Sequence, residues 1–287
     1  MTMSRPLASW LYVSPLMLVL IPFFVLPICV VLAASVFETD GFGSLIPTFT
    51  LGNYANVLTS GLTFNLYFET IKFTVLTWIF TLVLGFFVAY FLVFHVRNQL
   101  LAIGLFLVCT VPFWTSNIIR MISWIPLLGK EGLINSALMH LGIIHEPLTF
   151  LLYSSFAVVV AYVHQLTIFM VVPIFNSMAR IDKRVVEAAF DVGASRFDIM
   201  RLIIVPLSKS GIALGSIFVV SIVMGDFFVT KVMSGGGSAS VVGAFYEDIS
   251  VLQYPSAAAS AIVLTLVLMV TISLILRTVD IRKEITR

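Results

Sequence analysis

Long apolar runs restrict this chain more than any other feature. Six stretches, roughly 10–36, 68–94, 100–125, 149–174, 207–230 and 256–276, are apolar nearly throughout. Each is long enough for a helix to cross a hydrocarbon core, which takes about 20 residues. Lipid offers no partner to a backbone N–H or C=O, so these runs are helices. The strand-period alternation of an outer-membrane barrel is absent. Charged residues make up 10% of the chain, against about 25% in a soluble domain. The predicted architecture is an all-α membrane protein with six transmembrane helices. The stretch 10–36 is long for a secretory signal and has no clear small-residue cleavage site, so it is expected to stay as a span.

Six spans put both termini on one side. With that side inside, the cytoplasmic segments hold Arg5, Arg97, Arg180, Lys183, Arg184, Arg196, Arg201, Lys209, Arg277, Arg282, Lys283 and Arg287, which is 12 of the 16 Lys and Arg residues. Only Lys72, Arg120, Lys130 and Lys231 fall elsewhere. The positive-inside rule then places both termini and the segment 179–207 in the cytoplasm. The segments 38–67, 126–148 and 231–255, the last with Gly235-Gly236-Gly237, are expected outside as loops. No basic block of the nucleic-acid-binding kind is present. Cys29 and Cys109 lie within apolar runs, where packing is their expected role.

The segment 179–207 is polar yet patterned. Asp182 suits the cap of a helix with Lys183 to Asp191 as its body. Val186, Ala189 and Phe190 share one apolar face. Gly193 suits the left-handed residue that ends a helix. Ser195 with Asp198 reads as a capping box opening a second helix. Phe197, Met200 and Ile204 give that helix a stripe, and Pro206 is expected to stop it. Such a pair either docks on a partner or lies on lipid.

The pattern Glu187-Ala188-Ala189, then Gly193, then Ile203-Ile204-Val205-Pro206, resembles the EAA motif of binding-protein-dependent ABC importer permeases. Its place between the fourth and fifth spans matches as well. Further runs resemble the spermidine/putrescine permease subgroup: Pro112-Phe113-Trp114, Ile119-Arg120, Leu127-Leu128-Gly129, Gly132, Ile134-Asn135 and Gly225-Asp226-Phe227-Phe228-Val229. The likeness covers about 64–272. It departs at Thr230-Lys231, where the subgroup carries proline and an acidic residue.

The resemblance implies an inner-membrane permease subunit with a cytoplasmic coupling-helix pair between helices 4 and 5. Residues 1–66 would form an N-terminal span and outer loop, 67–276 a permease core of five spans, and 277–287 a cytoplasmic tail. Glu187, Ala188, Ala189, Gly193, Ser195 and Pro206 would form the contact with the ATPase. The partners implied are a pair of ATP-binding subunits, a second permease, a periplasmic substrate-binding protein and membrane lipid. The solute would be a polyamine such as spermidine or putrescine, or a related amino-group solute such as an opine or aminophosphonate.

Ionisable groups in spans cost about 2.5–3.5 kcal/mol at a helix centre, so they are candidates for the substrate path. Asp226 beside Phe227 suits an organic cation through charge and cation–π contact, or else caps a local helix. Glu69 and Lys72 are spaced to pair. Arg120 either binds a carboxylate or phosphonate or snorkels to headgroups. His164 and Gln165 either line a polar path or bridge helices. Trp114 is an interface anchor or stacks on solute, and Trp124 is an anchor.

No phosphate loop, zincin or serine-hydrolase run occurs. The chain is therefore expected to bind no cofactor of its own, with ATP and Mg held by the partner ATPase. It is expected to be no enzyme. His140, His145 and Glu146 have poor spacing for a metal. The competing reading is an ion-coupled secondary transporter using Asp226, Glu69 or His164. Dependence of transport on a separate ATPase distinguishes the two.

Overall fold

The computed structural model describes residues 5–40, 43–96, 98–236 and 240–277. Arg97, Gly237, Arg282, Lys283 and Arg287, with most of the expected tail, lie outside the described residues. The chain forms two units, one made of Met1–Phe64 and Ala244–Thr265, the other of Asn65–Gly243 and Leu266–Arg287.

Among the described residues, four helical stretches are long and apolar enough to cross a membrane: Val13–Ser35, Gly61–Phe94, Ser155–Met178 and Tyr254–Arg277. Two bent pairs, Leu100–Trp114 with Asn117–His140 and Arg196–Leu207 with Lys209–Gly225, raise the number to six if each is one span. The chain is thus a helical, multi-pass membrane protein.

In the first unit, α1 (Arg5–Leu20) and α2 (Leu26–Ser35) are joined by a π-helical turn at Ile21–Val25. The end of α2 leaves carbonyls without helical donors. Asn53, on α3 (Gly52–Thr59), covers this region by donating to Ser35 O at 3.0 Å and Phe37 O at 2.9 Å. Strands β1 (Glu38–Thr39) and β2 (Leu45–Ile46) pair antiparallel, with Glu38 opposite Ile46. The expected outer loop 38–67 therefore carries structure of its own, including the start of α4 (Gly61–Phe94).

The second unit is built on α9 (Ser155–Met178). Val158, Tyr162, Leu166, Met170, Ile174 and Met178, four residues apart, form a fully buried stripe along it. Helix α13 (Lys209–Gly225) lies against it. Small residues set the approach, as membrane helices require. A Cβ on Gly211 would stand 2.4 Å from Pro173 O, and one on Gly215 would stand 2.7 Å from Met170 Sδ. On the other side, Gly85 of α4 leaves the same room for Met170. Trp78 Nε1 donates to Ser216 Oγ at 2.8 Å, tying α4 to α13.

The structure corrects three expectations. The third run is not one straight span. Helix α5 (Gln99–Thr110) gives way to a 3₁₀ turn, Val111–Trp114, and extended residues Thr115 and Ser116. The segment Asn117–His140, which opens with α6 (Asn117–Ile122), then runs at 93° to Leu100–Trp114. Pro112 has no N–H for the Val108 carbonyl, and the Val111 N–H serves both Leu107 and Val108 instead. The expected loop 126–148 continues this arm as α7 (Ile125–Leu128) and α8 (Leu133–His140). Asn135, fully buried, holds its return by donating to Gly129 O and Leu148 O and accepting from Leu148 N.

The other two corrections concern the region after Gly193. Pro206 does not stop the helix there. After α10 (Lys183–Asp191) and α11 (Arg196–Ile199), a π-helical turn runs over Met200–Ile204 and continues as α12 (Val205–Leu207). The Val205 N–H reaches back five residues to Met200 O. The helix ends at Ser208, where the chain bends by 67°. The fifth run also ends early, at Gly225, and α14 (Phe228–Met233) follows a break at Asp226-Phe227. Helix α15 (Val241–Ser250) and α16 (Tyr254–Arg277) complete the described chain.

Candidate coupling loop and substrate-path residues

The loop after α9 is held by local chemistry. Asp182 Oδ1 accepts from Arg184 N at 2.9 Å, capping α10. Gly193 takes φ +86°. Its N–H donates to Phe190 O at 2.9 Å, and the Ala194 N–H donates to Ala189 O at 3.0 Å. That pair of bonds is a Schellman ending, which favours glycine at the left-handed position. Ser195 Oγ accepts from Asp198 N at 3.2 Å, and Asp198 Oδ2 accepts from Ser195 N at 3.3 Å, completing a capping box.

The faces divide unevenly. Ile199 and Ile204 are buried, and Val186 and Ala189 pack against the core of the second unit. Phe190, by contrast, is 48% exposed, Val192 84% and Phe197 61%. Phe190 and Phe197, each on the apolar face of its helix, are thus left uncovered. Glu187, Ala188, Gly193, Ser195 and Pro206 are exposed, and Ala189 is half-buried. A cavity of about 450 Å³ lies between the end of α4 and this loop, with Tyr90, Phe94, Lys183, Glu187 and Arg196 in its wall.

The substrate-path candidates fall into separate groups. Asp226 Oδ1 accepts from Val229 N at 2.9 Å and from Tyr162 OH at 3.1 Å. Tyr162 OH also lies 3.0 Å from Thr230 Oγ1. Asp226 thus serves the start of α14, and nothing in the sequence pattern alone marked Tyr162 or Thr230 as its neighbours. Phe227 is half-buried, its ring 6.5 Å from Phe228. Trp114 is 83% exposed at the break of the third run. With Phe113, Phe169 and Phe218 it lines an apolar slot of about 350 Å³.

His164 is exposed, and its Nδ1 accepts from Trp124 Nε1 at 3.1 Å. Gln165 is buried. Lys72 pairs with Glu69. Arg120 is drawn into the chain itself. It is 9% exposed, and its Nη2 donates to Asn117 Oδ1, one turn earlier. Arg120 is buried in α6, while Asn117, at the start of that helix, stays exposed. No group of three or more His, Cys, Asp or Glu side chains suits a metal ion among the described residues.

A bundle of broken and continuous apolar helices, with a capped helix pair in the polar segment between α9 and α13, defines a membrane permease subunit. No family model matches the sequence. Curated relatives do. The chain is 32% identical over 251 residues to the spermidine/putrescine transport system permease protein PotB of Salmonella typhimurium (strain SL1344), covering 87% of this chain and 86% of that protein. It matches PotB of Escherichia coli (strain K12) at the same identity, over 87% and 90% of the two chains. The chain belongs to the ABC importer permease family, in the branch of these PotB proteins. A solved chain of a bacterial ABC transporter involved in the import of the acidic polysaccharide alginate has the same fold, with a TM-score of 0.75 at 15% identity. That likeness covers 96% of this chain and 95% of the other.

Proposed function

We propose that this chain crosses the bacterial inner membrane six times, each bent pair counting as one span, with both termini in the cytoplasm. Residues 67–276 act as the permease core. With a second permease it forms a path that alternates between outward-open and inward-open states. A periplasmic binding protein delivers the solute, and two ATP-binding subunits, holding ATP and Mg, drive the change. ATP drives it only by favouring one state over the other. The solute is spermidine, putrescine or a related small amino-group compound. The names of the PotB relatives support that class.

One observation carries the reading. The helix pair 183–199 holds its conformation through its own caps, yet leaves Phe190, Val192 and Phe197 uncovered on a segment too polar for the bilayer core. A rigid, partly apolar surface beside water suits a protein partner. Glu187, Ala188, Ala189, Gly193 and Ser195 form or shape that surface, and Pro206 follows it. Arg120, Trp114, His164, Asp226 and Phe227 belong to the transmembrane path.

The test is reconstitution in liposomes with the ATPase, second permease and binding protein. Solute-stimulated ATP hydrolysis is expected in the wild type and is expected to be lost in Glu187→Lys with Gly193→Pro. Proline cannot adopt the φ of +86° at Gly193. Stimulation that survives this double substitution would falsify the coupling role.

A further inference from the structure

The cavity of about 450 Å³ between the end of α4 and the coupling loop has a wall of mixed chemistry. Its depth follows from the sequence. Residues 73–94 carry no charge. As helix they span about 33 Å, close to the hydrocarbon thickness of about 30 Å. Tyr90 and Phe94, in the last turns of α4, therefore sit where hydrocarbon gives way to headgroups. Their rings lie 5.3 Å apart, and His95 stands edge-on to Tyr90 at 5.2 Å. His95 also stacks on Phe91 at 5.8 Å, and Phe91 is 54% exposed on the span. The aromatic wall thus runs on to the exposed apolar side of α4.

The loop supplies the charge. Lys183 of α10 and Arg196 of α11 line the same cavity, with Glu187 as the carboxylate. With His95 uncharged, the wall keeps one net positive charge. Among the described residues neither Lys183 nor Arg196 has an ion pair, although Glu187 borders the same space. Ile199 and Ile204, both buried, add apolar surface.

A free phosphate would engage the two cations and leave the aromatic and aliphatic wall idle. The wall suits an anion that carries a carbon skeleton and sits at the depth where the apolar span ends. A phosphodiester lipid meets both demands, and its single negative charge matches the net charge of the wall. Basic pockets between helix ends on the cytoplasmic side hold such headgroups. We infer that this cavity is a binding site for the headgroup of an anionic phospholipid, with Lys183 and Arg196 on the phosphate and the acyl chains leaving over Phe91. The lipid bound there ties α4 to both helices of the coupling pair. The inference rests on the permease reading above, which places this loop at the cytoplasmic leaflet.

The assembled transporter tests it, in membranes of phosphatidylcholine with increasing phosphatidylglycerol, with retained lipid weighed by native mass spectrometry. Lys183→Gln with Arg196→Gln removes the cavity cations. Arg184→Gln with Arg201→Gln removes the same charge from exposed positions outside the cavity wall. The phosphatidylglycerol fraction that half-fills the site should rise by about 5-fold for each cavity cation lost. The second pair of substitutions should leave it unchanged. Equal lipid retention by wild type and the cavity pair overturns the inference, as does an equal loss in both pairs. Glycerol 1-phosphate retained in pure phosphatidylcholine membranes, and lost in the cavity pair, would assign the site to a free phosphate compound instead. Loss of the ATP-binding subunits from the cavity pair also overturns it, because the two cations would then meet that partner. Absence of solute-stimulated ATP hydrolysis in every membrane overturns the permease reading, and lipid retention reads the site separately.

Discussion

Gly211→Ala should loosen the centre of the second unit, and the size of the effect follows from the geometry. The new methyl would sit 2.4 Å from Pro173 O, 2.6 Å from Ser177 Cβ and 2.9 Å from Pro173 C. Comfortable carbon contacts lie near roughly 3.5 Å, so α9 and α13 must part by about 1 Å. Two of the three atoms are backbone, which cannot swing aside as a side chain does. A gap of that size forfeits about a quarter to a half of each contact it opens. The seam affected includes Pro173 and Ser177, which face Gly211, and Met170, which faces Gly215. The Ser177–Ser210 hydroxyl contact at 3.2 Å would lengthen too. Overpacking of this kind costs about 1–3 kcal/mol, and the backbone clash argues for the upper end. Gly104→Ala in α5 is the control, since a Cβ there meets nothing within 4 Å. It should be neutral or stabilise by about 0.5–1 kcal/mol. SDS titration of the purified protein in bicelles, followed by tryptophan fluorescence, reads both. If Gly211→Ala unfolds at the same SDS fraction as the wild type and Gly104→Ala, the close approach of the two helices is refuted.

Ser216→Ala should destabilise by about 0.5–1.5 kcal/mol in the same titration, because Trp78 Nε1 loses its acceptor inside the bundle; no change would mean that another acceptor replaces it. Asn135→Ala removes both donations and the one acceptance that hold Leu148 and Gly129, and should cost about 2–4 kcal/mol. Its first sign should be proteolysis within 126–150, and wild-type resistance there would contradict the assignment. Asp226→Asn keeps an acceptor oxygen for Val229 N and Tyr162 OH, so stability should stay within about 1 kcal/mol, whereas Asp226→Ala should lose about 1–3 kcal/mol. Loss of transport in Asp226→Asn with an undisturbed fold would instead assign the charge of Asp226 to the solute.

Local capping was readable because it is a matter of neighbours in sequence. Asp182, the Gly193 turn and the Ser195–Asp198 box each need only residues within a few positions, and each formed where its spacing indicated. The apolar runs were equally plain. Hydropathy, however, measures how apolar a run is and not whether its axis is straight. The break at Pro112 was therefore read as span, although proline followed by Thr115-Ser116 was the available signal. Pro206 misled in the opposite sense, because a π turn before it absorbed the missing N–H. Arg120 was hardest to place. Whether a cation at a span end reaches headgroups depends on which way the chain turns, and the segment Asn117–His140 that carries it is bent by 93° from the one before. Helices α7 and α8 are short, and Asn135 with its distant partner Leu148 holds the return of this arm.

The π turn at Met200–Ile204 also sets a phase. A helix is a screw, and each residue advances it by about 100°. One extra residue is wound into this turn between the water-facing pair and α13. The wider turn takes up that residue, so the helix on either side keeps its phase, whereas a residue added within the regular α-helix α13 would rotate one side by about 100°. Single-residue insertions within α13 should therefore be far less tolerated than a one-residue deletion within Met200–Ile204, because only the wide turn can give up a residue while the thread stays in register.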